Sequence, residues 1–184
     1  MNQHDMTRNM VLAALFAALT AIGAFLQIPT GTVPITLQFL FTALAGLLLG
    51  WKWGAISQLL YVGIGLLGLP VFTQGGGIGY VLQPSFGFLL GLIPAAAVIG
   101  ALIARRTGYL TVLAAVLVGD LILYAVGVPY MYLILHVYMQ SAKTFPALLA
   151  AMLVYVPGDT LKIVVVTALA PVLRRTLAKA VPNL

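Results

Sequence analysis

Residues 85–104 read SFGFLLGLIPAAAVIGALIA, carry no charged side chain, and are bounded by Pro84 and by the pair Arg105-Arg106. The hydrocarbon layer of a bilayer is crossed by about 20 predominantly apolar residues in a helix, and this stretch has that length. The rest of the chain has the same character. Hydrophobic residues make up 62% of it and charged residues 7%, with mean hydropathy +1.13, whereas roughly a quarter of the residues in a soluble domain are charged. Lipid is therefore the solvent. The 184 residues hold about six or seven spans at most, which leaves no room for a second, soluble domain, so residues 1–184 are read as a single transmembrane unit.

On the N-terminal side of this span, residues 70–84 read PVFTQGGGIGYVLQP, a flexible loop by its glycines and prolines. Before it, spans are predicted over residues 35–50 and 53–69, joined by a turn at Trp51-Lys52-Trp53 and short enough to tilt or to thin the bilayer. A first span covers residues 9–27. Its apolar run exceeds the h-region of a signal peptide and is expected to be a retained helix, followed by a loop over residues 28–34. Pro94 is expected to kink the fourth span. Downstream, a fifth span covers residues 109–126, an interruption begins at Gly127-Val128-Pro129, and residues 130–140 form a short surface or capping helix. The last span starts between Phe145 and Pro157 and ends near Leu173. The expected fold is an all-α integral membrane protein of six transmembrane helices.

The formal charge of +6 and pI near 9.8 would point to nucleic acid in a soluble protein, but here the basic residues sit in short turns and set topology. With six alternating helices, Arg8, Lys52, Arg105, Arg106, Arg174, Arg175 and Lys179 share one side, Lys143 lies on the other, and Lys162 falls within a span. Both termini of a multi-pass membrane protein are thus expected to be cytoplasmic. The long Gly- and Pro-rich loops then gather outside, as a lid capping a binding cavity.

Absence of cysteine excludes disulfides, iron–sulfur clusters and thiol catalysis, and with only His4 and His136 no metal site is expected, nor any cofactor. The glycine run departs from G-x-G-x-x-G because Tyr80 stands three residues past Gly77, and no lysine follows a glycine as in a P-loop. The chain is read as binding a small solute for transport, without enzymatic activity. Any ATP hydrolysis belongs to another chain.

Ionisable groups inside a span cost about 2.5 to 3.5 kcal/mol each by insertion scales and point to function. Asp120, Asp159 and Lys162 qualify. Asp159 and Lys162 are one helical turn apart on one face, and at ~1.5 Å per residue they lie ~22 and ~18 Å from the cytoplasmic end, just beneath the lid. Asp120 lies ~16 Å deep, near the midplane, with Tyr124 one turn on. The bland alternatives are a self-neutralising ion pair for Asp159 and Lys162, and interhelical hydrogen bonding for Asp120. In the first span Ala13 with Ala17, Ala14 with Ala18 and Ala17 with Ala21 form small-xxx-small pairs, a ridge that another helix can approach closely.

Five segments in this order carry a resemblance: VPITLQ (33–38), GLPVF (68–72) before the glycine run, PSFGFLLG (84–91), GVPY (127–130) and PGDTLK (157–162). Together they resemble the BioY family, the biotin-binding S components of energy-coupling factor (ECF) transporters, over nearly the whole chain. The resemblance implies a six-helix fold that captures biotin from outside under the three outer loops. It also implies an AxxxA contact of Ala13 and Ala17 with a transmembrane coupling subunit, and two ATPase subunits that supply the energy.

For biotin, Asp159 is expected to accept from the ureido N–H groups. Lys162 is left between pairing with Asp159, donating to the ureido carbonyl and meeting the valerate carboxylate, and Lys143 is the remaining outer cation. Gln38, Tyr80 and Gln83 complete the expected shell, with Asp120 and Tyr124 at its base. Competing readings are an S component for another vitamin, a solo transporter coupled to protons through Asp120, and an intramembrane aspartyl enzyme using Asp120 with Asp159. The last is opposed by Lys162, whose charge disfavours a shared-proton pair.

Overall fold

The computed structural model describes residues 3–30, 33–104 and 108–180, with side chains to residue 176. Among them, five helices are long and apolar enough to cross a membrane: α1 (Gln3–Phe25), α2 (Gln38–Leu66), α3 (Phe86–Ile103), α4 (Tyr109–Leu133) and, after the short α5 (Phe145–Ala151), α6 (Val156–Ala180). One of the five is folded back on itself. Thr42 Oγ1 donates to Gln58 Oε1 at 2.9 Å and Gln38 Nε2 to Tyr61 Oη at 2.7 Å, contacts that a straight helix would hold ~24 Å or more apart. Residues 38–49 and 51–66 are therefore two antiparallel arms, and the bundle has six transmembrane segments.

The hinge between the arms is Gly50, at φ 77° and ψ −179°, a conformation closed to residues with a Cβ. The turn expected at residues 51–53 is thus one residue long and centred on Gly50, and Trp51 already begins the second arm. The hinge is seated on α3, where a Cβ on Gly100 would lie 2.3 Å from the Trp51 backbone nitrogen and 2.4 Å from the Gly50 carbonyl carbon. Helix α3 packs between α2 and α4, α1 lies on α2, and α6 touches both α2 and α4. Wholly buried Tyr61, Ile99 and Val116 mark the centre of the apolar core.

Several expectations are corrected. No interruption occurs at Gly127-Val128-Pro129: α4 runs through Pro129 to Leu133 and continues as a π-helical turn, Ile134–Tyr138. Val128 and Met131 are buried there, and a Cβ on Gly127 would meet the Phe88 ring at 2.4 Å, so close packing on α3 overrides the breaker signal. α1 begins at Gln3, six residues before the predicted start, and α6 continues past Leu173 and Pro171 to Ala180. Residues 27–28 and 35–36 pair as a minimal antiparallel hairpin at the mouth of the bundle.

The glycine-rich segment is anchored, not loose. It holds a 3₁₀ turn, Ile78–Leu82, and Gly77 N–H donates to Gly65 O at 2.7 Å. A ladder of rings, Tyr61, Phe72, Tyr80, Phe86 and Tyr130, crosses from α2 through this segment to α3 and α4 with centroid separations of 5.5, 4.6, 6.4 and 5.8 Å. Edge and tilted ring contacts of this kind add about 0.5–1.5 kcal/mol each beyond burial.

Gly100→Ala must displace backbone at the hinge and is expected to destabilise the protein by about 1–3 kcal/mol. Gly63→Ala, where nothing lies within 4 Å of the new Cβ, is expected to be neutral or stabilising by helix propensity. Thermal unfolding in detergent separates the two, and equal midpoints would remove the hinge contact from the account.

Candidate ligand-binding site

A cavity at the non-basic end of the bundle is lined from four directions: the hairpin and first arm of α2 (Thr36, Gln38), the anchored loop (Thr73, Tyr80), α3 (Phe88, Leu92) with α4 (Leu123, Tyr124), and α6 (Asp159, Lys162). Pro157 and Gly158 open α6 and place Asp159 in its first turn, where carboxylates are favoured by the helix dipole. The i,i+3 spacing then stacks Lys162 beneath it.

Asp159 and Lys162 are 6% and 7% exposed, and Lys162 Nζ sits 2.5 Å from Asp159 Oδ1. The Tyr124 hydroxyl donates to Asp159 Oδ2. Lys162 Nζ also donates to the Thr36 carbonyl at 3.2 Å. Each carboxylate oxygen thus has one donor and spare acceptor capacity, and of the three ammonium protons two are engaged. Gln38 is held by Thr36 Oγ1, which donates to its Oε1 at 2.9 Å, and by Tyr61, whose own hydroxyl donates to Val71 O at 3.1 Å. Tyr80 shares a hydrogen bond with Thr73 Oγ1 at 2.8 Å and with Ser85 Oγ at 3.4 Å. Phe39, Phe88, Leu89 and Leu92 supply the apolar wall.

Of the residues singled out from sequence, the structure gathers Asp159, Lys162, Gln38, Tyr80 and Tyr124 around this cavity. Gln83 and Asp120 are not among the lining residues. Gln83 is half-buried at the end of the 3₁₀ turn, and its backbone N–H caps Tyr80 O. Asp120 lies one turn deeper than Tyr124, with a buried Oδ1 that has no hydrogen-bond partner among the described residues. Among the described residues no group of three or more His, Cys, Asp or Glu could hold a metal ion.

Sequence reasoning missed Thr36, Ser85 and Tyr155. The first two lie inside motifs already noted, but a backbone carbonyl as partner to Lys162 leaves no trace in side-chain chemistry. Ala13 and Ala17 need a correction as well. They are 0% and 3% exposed, on the face of α1 that packs against the chain's own α2, so they offer no surface to a partner. The exposed small pair of that ridge is Ala14 with Ala18.

The BioY family model matches residues 1–179. This chain belongs to the BioY family. Among BioY relatives, a probable biotin transporter of Lysinibacillus sphaericus is 53% identical over 79% of this chain and 75% of its own length. The biotin transporter of Rhodobacter capsulatus is 39% identical, with 97% of each covered, and that of Thermotoga maritima 35% identical, with 89% of this chain and 94% of the relative covered. A crystal structure of the S-component for biotin from an ECF-type ABC transporter superposes with a TM-score of 0.83 at 29% identity, covering 95% of both chains. The BioY fold and the spans described above make this a multi-pass protein of the cytoplasmic membrane.

The ion pair is the buried charge on which the site is built, and breaking it from one side leaves an uncompensated ion. Lys162→Met is expected to lower stability by about 3–5 kcal/mol. The double substitution Lys162→Met with Asp159→Asn is expected to recover most of that loss, read by denaturation in detergent. A double variant no better than the single one would contradict the coupling.

Proposed function

We propose that this chain is the biotin-binding S component of an ECF-type transporter, capturing biotin at the outer face for uptake. The observation that carries the reading is the adjacent buried acceptor and donor, Asp159 and Lys162, in an apolar cavity, within a chain whose BioY relatives are named biotin transporters. In a cyclic urea the N–H and C=O lie side by side on one edge. Asp159 takes the N–H and the third proton of Lys162 takes the carbonyl, so one edge of the ureido ring meets both members of the pair. The second N–H faces an oxygen across the cavity, for which Gln38, Tyr80 and Ser85 are the candidates. The bicycle lies against Phe39, Phe88 and Leu92, in the usual composition of small-ligand sites, apolar walls with a few convergent polar groups.

Each element of the ring's recognition is thereby polar, buried and paired, which is the arrangement that rejects an analogue lacking the ureido group. The same occupancy argues against enzymatic chemistry. Asp159 is engaged by Lys162 and Tyr124, leaving no carboxyl dyad with Asp120. No cofactor is required by this scheme.

Isothermal titration of biotin into purified wild type and Asp159→Asn tests it: binding to wild type is expected to weaken at least tenfold in the variant, about 1.4 kcal/mol. Equal binding would remove Asp159 from the site, and no binding to either would overturn the ligand.

The exposed stripe of α1 around Ala14 and Ala18, flanked by Val11, Leu15 and Ile22, is proposed as the contact with the transmembrane coupling subunit, which in turn engages two ATPase subunits. Small residues there let a partner helix approach closely. Ala14→Leu with Ala18→Leu is expected to abolish co-purification with the coupling subunit while biotin binding to the isolated chain is unchanged. Retained co-purification would move the interface elsewhere.

A further inference from the structure

Gln58 is wholly buried in the second arm of α2, ~12 Å along the helix from the Gly50 hinge, at a depth where a polar side chain is costly. It faces three hydroxyls, none of which needs it. Thr42 reaches the Gln38 carbonyl at 3.0 Å, Thr20 the Phe16 carbonyl at 2.8 Å and Ser57 the Gly54 carbonyl at 2.7 Å, so each has a backbone acceptor on its own helix. A methionine at position 58 would fill similar space and leave no hydroxyl unpaired.

The amide stands between the ligand cavity and α1. Towards the cavity, Thr42 lies one turn below Gln38, a lining residue that also donates to Tyr61 Oη at 2.7 Å, one turn from Gln58 on the second arm. Towards α1, Thr20 and Phe16 close the turn that exposes Ala18. Each threonine hydroxyl carries one proton and has two acceptors in reach. For Thr42 these are Gln58 Oε1 at 2.9 Å and the Gln38 carbonyl at 3.0 Å. For Thr20 they are the Phe16 carbonyl at 2.8 Å and Gln58 Oε1 at 3.4 Å, with Gln58 Nε2 at 3.3 Å. In one register Thr42 donates to Gln58, Gln58 Nε2 donates to Thr20, and Thr20 donates to Phe16. Turning the amide over exchanges oxygen for nitrogen at nearly the same positions. Nε2 then donates to Thr42, whose proton turns to the Gln38 carbonyl, and Thr20 donates to Oε1 and releases the Phe16 carbonyl. No proton leaves its own residue.

We propose that Gln58 is a positioning residue that relays occupancy of the ligand cavity to the exposed face of α1, by reversing the hydrogen bonds between Thr42 and Thr20. A ligand that draws on Gln38 shifts the first turn of α2, and with it the carbonyl that competes for the Thr42 proton. At the far end, a threonine bonded to the carbonyl four residues back bends its helix, so releasing Phe16 changes the curvature of α1 at Ala18. Such a two-register element, biased from both ends, is the physical requirement for coupling between sites. The relay rests on the biotin reading, and it gives the proposed coupling face a means of sensing whether the cavity is filled.

The chain has no cysteine, so a nitroxide attached through Ala18→Cys reports on that face of α1 alone, with biotin as the probe. In purified chain carrying only this change, saturating biotin is expected to alter the nitroxide line shape. Adding Gln58→Met or Thr20→Val is expected to abolish the response while titration shows biotin still bound with unaltered affinity. Ser57→Ala removes a hydroxyl of the same cluster that lies off the path and is expected to keep the response, which a general loosening of the packing would not allow. Should Gln58→Met fail to fold, Thr20→Val decides. A response that survives in either variant, or no response to bound biotin in the chain without them, overturns the relay and leaves the biotin reading standing. Loss of biotin binding in the folded variants also overturns it, by making the cluster part of the ligand site. Failure of the labelled parent chain and of wild type to bind biotin overturns both.

Discussion

Taking Asp159 and Lys162 out of water inside a bilayer costs several kcal/mol per ion before any interaction is counted. The 2.5 Å contact between them, the Tyr124 hydroxyl on the far carboxylate oxygen and the Thr36 carbonyl on the ammonium offset that cost with donors and acceptors from α4, α6 and the first hairpin. These partners belong to elements far apart in sequence. The pair can therefore exist only when α6 is docked against α4 and when the chain entering α2 crosses over it, and in this sense the arrangement of the outer half of the bundle is subordinate to keeping two charges neutral. The same groups retain one free donor and some free acceptor capacity, which is what a polar ligand edge needs.

Away from the charges, cohesion comes from close approach. In lipid there is no hydrophobic drive between helices, so packing and interhelical hydrogen bonds hold them. The α2 arms meet at Gly46 and Gly54, where a Cβ on the latter would lie 2.8 Å from the Gly46 Cα, and a wholly buried set of hydroxyl and amide groups ties them to α1: Gln58 bonds Thr42 at 2.9 Å and Thr20 at 3.3 Å. The aromatic ladder does the equivalent outside the helices, turning a segment of several glycines into a fixed roof over the cavity. On the remaining side the Tyr155 hydroxyl bonds Thr30 and Val33 in the segment that leads into α2.

Much of this was legible in the chain. Spans, orientation and membrane solvent follow from apolar length and the placement of arginine and lysine, because insertion depends on local transfer free energies that each segment carries with it. Asp159 and Lys162 were legible for the same reason: an ionisable group in an apolar helix is costly wherever the helix lies. The five family segments added the ligand class, since they mark positions around one site.

Other features were decided only in three dimensions. Gly127-Val128-Pro129 reads as a breaker, yet α4 runs through it because α3 needs the missing Cβ to bring Phe88 close. The glycine run reads as loose, yet rings contributed by α2, α3 and α4 hold it. Ala13 with Ala17 and Ala14 with Ala18 are indistinguishable as spacing, and only the docking of α1 on α2 determines which pair is spent inside and which remains exposed. Asp120 and Tyr124 share a helix face, but the register of α4 against α6 brings one to Asp159 and leaves the other a turn below. Periodicity and composition report what a segment needs from its surroundings; which neighbour meets the need depends on contacts between residues remote in sequence, and those exist only once the bundle has closed.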